Sequence, residues 1–420
     1  MQPQKKRWLV ILFIHEIWEL KVYTDPLIDA IEAKGCGANT AFFLLRDSVR
    51  ISGSVQNFEL TVSELREKDG KFKFDPVELD FDNSDRHCWE VGLQYAFAAV
   101  EAERNMMITI SHGAAFGING NSGQVQRHSK WQDDPPHTEG DEKMVIYDNP
   151  YFFLDKQEQV ELNSFLTANK EIAVSKDLLA QIDQGRISKI SDHKDLSCRK
   201  LEILWTADLA NALDRLPRKC RIDIMLMCNC YMQSFETGYI LRNNVHYLIA
   251  PETAMPVSGY KFLKLLDHLA KPELTTERLA ATIVDDYTSK YPPVSKDNYC
   301  VVLSANRLAV YEEALDVFER LLRLINSKWA YYSKQLVKIR EDQVLYVSIA
   351  QGSSSYNRLM MIDMCLWGRL ALEMVAAEPD APQLANDFRT VLDKLIVARH
   401  TGGFFTDHDA NPNPPFFKKV

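Results

Sequence analysis

Two cysteines one residue apart, Cys228 and Cys230, follow a largely apolar run from Ile222 to Met227 that only Asp223 interrupts. Far upstream, a second apolar run beginning at Met106 delivers His112 and then Gly113. A thiol needs help to ionise at neutral pH, and a nearby imidazole supplies it. A glycine directly after the histidine leaves a backbone N–H open to a tetrahedral oxyanion, and the N–H of Cys230 is a second donor. These residue types make a candidate pair for acyl transfer, with Cys230 as nucleophile, His112 as general acid and base, and Gly113 and Cys230 as oxyanion donors. A helix beginning at Phe235 would add the positive end of its dipole. The plainer alternative is that both thiols and the imidazole are packing residues, since cysteine is among the most buried residue types.

For the pair to meet, both runs must be strands of one sheet with their carboxyl ends together, where reactive groups cluster in open α/β sheets. Each run is short and apolar, as in strands buried on both faces. Residues 7–14 read as a first strand, 24–34 as a helix closed by Gly35 and Gly37, and Asn39–Arg46 as a second strand. Residues 48–82 read as a hairpin-like excursion, and Asp85–Arg104 as a helix leading into the Met106–Ser111 strand. This alternation predicts a mainly parallel sheet with crossover helices. Residues 114–198 read as an insertion over the sheet face, its first part a long exposed loop. A helix over Leu201–Leu216, the Ile222–Met227 strand, a helix over Phe235–Asn243 and a strand over Val245–Ala250 follow. Beyond Tyr260 helices dominate, at 274–291, 308–337, 357–377 and 382–398, with one strand at Tyr299–Leu303 and a loop from Thr401. Trp329, Tyr331, Tyr332, Met360, Met361, Met364 and Trp367 read as core of those helices.

Composition narrows the function. The chain has 420 residues, 46% hydrophobic and 25% charged, which is ordinary for a globular protein. A net charge of −9 with no lysine or arginine block argues against a nucleic-acid partner. The apolar run from Trp8 to Ile14 is interrupted by His15 and Glu16 and lacks a small-residue cleavage site, so it reads as a strand rather than a signal peptide. No stretch approaches the roughly 20 apolar residues of a membrane span. Eight cysteines in no framework spacing point to reduced thiols and a cytoplasmic protein. Gly117, Gly120 and Gly123 match no phosphate-binding pattern, and Cys228-x-Cys230 lacks the partners of a zinc site.

The stretch CNCYMQSFETGYILRNNVHYLIAPETAMPVSGY resembles the signature of the clostripain-like cysteine peptidases, a bacterial family within the caspase, gingipain and legumain group of folds. That family reads roughly D-A-C-L-M-x-x-x-E, then a helix, a strand ending A-S-E, and P-x-x-G-W/Y. Cys230, Met232 and Glu236 fall on the first block, and Ala250, Glu252, Pro256, Gly259 and Tyr260 on the later ones, with Pro251 in place of the serine. Ile108 to Gly113 is similar to the family's strand, histidine and glycine, and Thr206–Leu213 resembles its helix before the nucleophile strand. Weaker similarities continue at Ile283–Tyr287, Leu303–Ala305 and Ile362-Asp363. The resemblance implies a caspase-like three-layer α/β sandwich over residues 1–262, with the insertion at about 114–198. A helix-rich region at 263–420 would pack on it. It implies a cysteine endopeptidase with His112 and Cys230 as its dyad, acting on protein or peptide substrates without a cofactor.

One position departs from the family. Two residues before the nucleophile the family has an aspartate that meets a basic P1 side chain, and this chain has Cys228. A neutral thiol makes no charge-assisted bond to a guanidinium, so weakened arginine selectivity is expected. Glu252, with Thr253 beside it, or an acidic residue among Glu78, Asp80, Asp82 and Asp85, is a candidate substitute. The resemblance also implies processing between histidine and cysteine, where Arg127, Lys130 and Lys143 lie in the most loop-like part. Some relatives use calcium, for which Asp133-Asp134 and Glu139 with Asp141 could supply oxygens, although no EF-hand spacing exists. Two other readings stay open: a non-catalytic binding or regulatory module, and a latent protease switched on by an activating partner.

Overall fold

The computed structural model describes residues 5–15, 18–52, 55–80, 88–113, 117–119, 204–217, 220–252, 259–290, 301–342 and 364–402. The first strand, β1 (Lys6–His15), is buried along nearly its whole length. Its alternate residues face opposite ways, as the period of two demands. Trp8, Val10, Leu12 and Ile14 enter one core, while Leu9, Ile11 and Phe13 enter another. A strand this apolar on both faces is stable only with helices on each side.

The helices provide this. On the Val10 face lie α1 (Trp18–Lys34), α5 (Phe262–Leu269) and α6 (Thr276–Lys290). On the Ile11 face lie α2 (Cys88–Ala99), α3 (Thr206–Asp214), α4 (Phe235–Leu241), α7 (Tyr311–Ser327), α9 (Met364–Met374) and α10 (Ala381–Leu395). Lys264 and His268 of α5 both reach Asp286 of α6, His268 Nε2 lying 2.7 Å from its carboxylate.

The sheet has nine strands in the order β12-β11-β10-β9-β5-β1-β2-β3-β4. These are β2 (Thr40–Ser52), β3 (Val55–Lys68), β4 (Lys71–Pro76), β5 (Ala102–Ile110), β9 (Ile222–Cys228), β10 (Val245–Pro251), β11 (Val301–Arg307) and β12 (Ile396–Gly402), besides β1. The run β10-β9-β5-β1-β2 is parallel throughout. Both wings are antiparallel: β2-β3-β4 on one side and β10-β11-β12 on the other. The expectation of a mainly parallel sheet is thereby corrected to a mixed one with a parallel centre.

The local differences have physical causes. Within the excursion expected at 48–82, β3 and β4 continue the sheet as a meander, the turn between them made by Asp69 and Gly70 with φ of 52° and 74°. Two positive φ values in a row suit a tight hairpin whose twist matches its strands. β12 begins within the stretch expected to finish the last helix. No glycine or proline separates α10 from it; the chain simply becomes extended at Ile396 (φ −93°, ψ 100°). The helix expected over 308–337 opens with a single 3-10 turn at Leu308–Val310 and breaks at Lys328, separating α7 from α8 (Trp329–Asp342). Of the aromatic residues expected in the core there, Tyr332 is buried, but Trp329 and Tyr331 are 56% and 67% exposed. The core is reached from α8 by Tyr332 and Leu336. Met360 and Met361 lie outside the described residues, as does the insertion expected at 114–198 except for residues 117–119. Asp223, the one polar break in the β9 run, ties two strands together, because its carboxylate accepts from the N–H of Asn105 on β5 at 2.8 Å. Burial pushes its pKa up, and that bond offsets part of the rise.

Gly238 of α4 lies against the ring of Tyr311, where a Cβ would sit 2.1 Å from the nearest ring carbon. Gly238→Ala is expected to lower unfolding stability by about 1–3 kcal/mol through overpacking, read from the urea midpoint.

Candidate active site

The site grows out of the register of β5 against β9. Ile110 is paired with Cys228, so the two chains leave the sheet at the same level. One residue past Ile110 the chain enters β6 (His112–Gly113), which pairs with β7 (Gly117–Asn119), itself paired with β8 (Leu204–Trp205), in a small second sheet. His112 is opposite Asn119 and Gly113 opposite Ile118. Past Cys228 the chain turns through Asn229 and Cys230.

The two turns touch at the backbone. A Cβ added to Gly113 would lie 2.0 Å from the carbonyl oxygen of Cys230, 2.7 Å from its nitrogen and 2.9 Å from the carbonyl carbon of Asn229. Only a residue without a side chain lets β6 pass this close to the Cys230 peptide. The structure therefore brings the backbones of His112-Gly113 and Cys230 together, although they are far apart in sequence. Cys230 itself is half-buried.

Three features hold the Cys230 turn. Asn229 is fully buried, and its side-chain oxygen accepts from the Thr109 hydroxyl of β5 at 2.5 Å. Tyr231 is buried with φ of 61°, a left-handed conformation unusual for a bulky residue. Such strain, of order 1–3 kcal/mol, persists where surrounding packing fixes it and concentrates at functional sites. Gln233 N–H then donates to Pro251 O at 2.9 Å, tying the turn to the end of β10. α4 starts beyond Ser234, whose side chain accepts from the Thr237 N–H at 3.0 Å and caps the helix. Sequence reasoning misses Asn229, Thr109 and Tyr231. A polar residue between two cysteines at a strand end is the only signal for the first.

Cys228 is buried on the α1 and α5 face. Burial pushes its thiol up to about 12, so it is neutral at ordinary pH. Gly259 (φ 52°) packs onto it: a Cβ there would lie 2.7 Å from the sulfur. Tyr260 donates its hydroxyl to Met227 O at 3.0 Å, and Lys290 Nζ donates to the carbonyls of Gly259 and Tyr260 at 2.9 and 3.3 Å. Burial lowers the Lys290 pKa, against the opposing influence of Cys228. Cys228 and Ile110 are also part of the wall of a cavity of about 550 Å³ between α1 and α5.

The remaining sequence candidates stand elsewhere. Glu252 follows β10; its N–H donates to Val302 O at 2.8 Å and its carboxylate accepts from Ser304 Oγ at 3.1 Å. It is not among the described residues lining the cavity. Glu78 and Asp80 are exposed just beyond β4, the far edge strand. Thr253, Asp82, Asp85, Arg127, Lys130, Lys143 and the acidic pairs at 133–141 lie outside the described residues. Among the described residues no group of three or more His, Cys, Asp or Glu side chains could hold a metal ion. No helix among them is long and apolar enough to cross a membrane.

The sequence profile of the clostripain family matches residues 158–388, a span that includes Cys230 and begins after His112. Three solved structures share the fold. A secreted C11 cysteine protease from Bacteroides thetaiotaomicron, iotapain, superposes with a TM-score of 0.56 at 13% identity, over 95% of this chain and 87% of that one. The complex of a secreted C11 cysteine protease from the same organism with an irreversible peptide inhibitor gives 0.54 at 14% identity, over 94% and 84%. An inactive zymogen C11 protease from Parabacteroides distasonis gives 0.55 at 14% identity, over 96% and 86%. No curated protein sequence matches significantly.

Two outcomes test this geometry. Thr109→Val removes the hydroxyl that donates to the buried Asn229 oxygen and is expected to destabilise by about 1–3 kcal/mol in urea unfolding. Iodoacetamide at neutral pH is expected to modify Cys230 well before Cys228, resolved by peptide mass mapping of a time course.

Proposed function

Because the chain belongs to the clostripain family, we propose that it is a cysteine endopeptidase whose working pair is His112 and Cys230. The observation that carries this reading is the contact of Gly113 with the Cys230 peptide, which supports a shared site at the carboxyl edge of the parallel strands. We read the fold as a caspase-like three-layer sandwich, with a catalytic core over residues 1–262 and the helix-rich region from 263 packed on it. The later region also contributes β11 and β12 to the same sheet.

In this mechanism the imidazole of His112 takes the Cys230 proton, and the thiolate attacks the scissile carbonyl carbon. The N–H groups of Gly113 and Cys230 stabilise the oxyanion. The imidazolium returns the proton to the leaving amine as the C–N bond breaks. Water, deprotonated by the same imidazole, then hydrolyses the thioester and restores the thiol. Substrate would lie as an extended strand beside the loop after β10, with Cys228, Glu252 and Thr253 as its binding residues, so main-chain bonds supply affinity. No step is assigned to calcium.

Latency belongs to the same proposal. Cleavage at Arg127, Lys130 or Lys143 would convert a precursor, and one solved relative is described as an inactive zymogen. With Cys228 in place of an aspartate, self-cleavage after these basic residues is disfavoured, and a separate protease of basic specificity would make the cut. An activating partner is the other route. Intact mass of the stored wild type against Cys230→Ala reports self-processing. Cytoplasmic residence rests on the cysteines, six of which stand outside any disulfide among the described residues. Two of the solved relatives are described as secreted, which weighs the other way.

The decisive experiment uses a peptide electrophile directed at cysteine. Cys230 is expected to react fastest of the thiols and to lose that advantage in His112→Ala. Cys230→Ala is expected to lower kcat/KM on peptide substrates by at least about 10³-fold. Cys230 labelling no faster than that of the other thiols would favour a non-catalytic binding module instead.

A further inference from the structure

We propose that the cavity beside Cys228 receives the substrate side chain that precedes the scissile bond, and that it selects an uncharged apolar side chain such as leucine, methionine or phenylalanine over a basic one. This rests on the peptidase reading above and goes beyond it by naming the substrate class.

Position comes first. Ile110 and Cys228 are paired ends of β5 and β9, and both line the cavity. Cys230 is two residues further on, so a chain bound across its sulfur has this opening within reach of one side chain. The volume, about 550 Å³, lies in the range of small-ligand pockets.

Chemistry comes second. The lining is supplied by the apolar groups of Leu20, Leu27, Ile110, Phe262 and Leu263, with Tyr260. At the surface the same helices expose Tyr23 (48%) and Leu263 (40%), large apolar groups that extend the lining outward. Among the described lining residues there is no carboxylate, and the charged ones are Lys261 and Lys264. Their ammonium groups reach Ser289 and Asp286, both on α6. A third ammonium, that of Lys290, donates to the carbonyls of Gly259 and Tyr260 beside Cys228. The protein thus already supplies a cation to the carbonyl acceptors at this end of the cavity. An arginine or lysine side chain entering it would shed water, gain no anionic partner among the described lining residues and face like charges. A leucine or phenylalanine side chain would lose only unfavourable contact with water.

The first test is a substrate library varied only at the residue before the cleaved bond, run on the full-length wild type. Leucine, methionine and phenylalanine are expected to exceed arginine and lysine in kcat/KM by at least about 10-fold, in the range apolar pockets discriminate. Cys228→Asp is expected to shift that ratio toward the basic residues by about 10-fold. Because a buried aspartate can upset folding, the second test is binding. Fluorescence anisotropy of labelled peptides with leucine or lysine at that residue is measured on Cys230→Ala, with tighter binding of the leucine peptide expected. Strict arginine or lysine cleavage, or equal or tighter binding of the lysine peptide, overturns the pocket assignment while leaving the peptidase intact. Absence of any cleavage, with leucine selectivity retained in binding, overturns the peptidase reading and upholds the pocket.

Discussion

A single backbone contact, Gly113 against the peptide of Cys230, sets the terms for the rest of the molecule. Such a contact forms readily where the two strands leading into it are neighbours, parallel and in register at their ends. The pairing of Ile110 with Cys228 meets that condition. One residue then separates each strand end from the crossing segments, which leaves little freedom in how they meet. The buried Asn229, held by Thr109, and the left-handed Tyr231 remove what freedom remains. The geometry is costly locally, and the packed cores on both faces of the sheet hold it in place.

The sheet also divides the labour around the site. The hairpin that carries His112 stands on the α2 and α3 side, where Ile118 of β7 joins the core. The cavity lined by Cys228 opens on the α1 and α5 side, and Cys228 belongs to the core of that face. Cys230 emerges at the carboxyl edge between them. Alternation along β9 is the cause: Met227 and Cys228 are adjacent in sequence and enter opposite cores. One strand can thereby carry the proposed nucleophile beyond its end and border the cavity without crowding either.

Much of this was legible in the residues. The strands at β1, β5, β9 and β10 are short apolar runs with clear ends, and β1, β2 and β5 form the parallel unit that alternation predicts. The antiparallel wings were harder. β12 follows α10 without a breaking residue, and its alternation is too short to compete with a helical continuation. The Asp69-Gly70 turn was a readable hairpin signal. Trp329 and Tyr331 show the limit of composition: aromatic side chains read as core, but which face of α8 is covered depends on what packs there.

From sequence alone came the chemistry available: a thiol after one strand, an imidazole and a glycine after another, and a cysteine where the resembling family has an aspartate. Residue type fixes such properties, because ionisation, nucleophilicity and the absence of a Cβ are local. Tertiary structure alone decided that Gly113 touches the Cys230 peptide, that Cys228 is too buried to ionise at neutral pH, and that α1 and α5 leave an apolar cavity beside it. These depend on strand register and on which helices cover which face, and both are set by packing between segments distant in the chain.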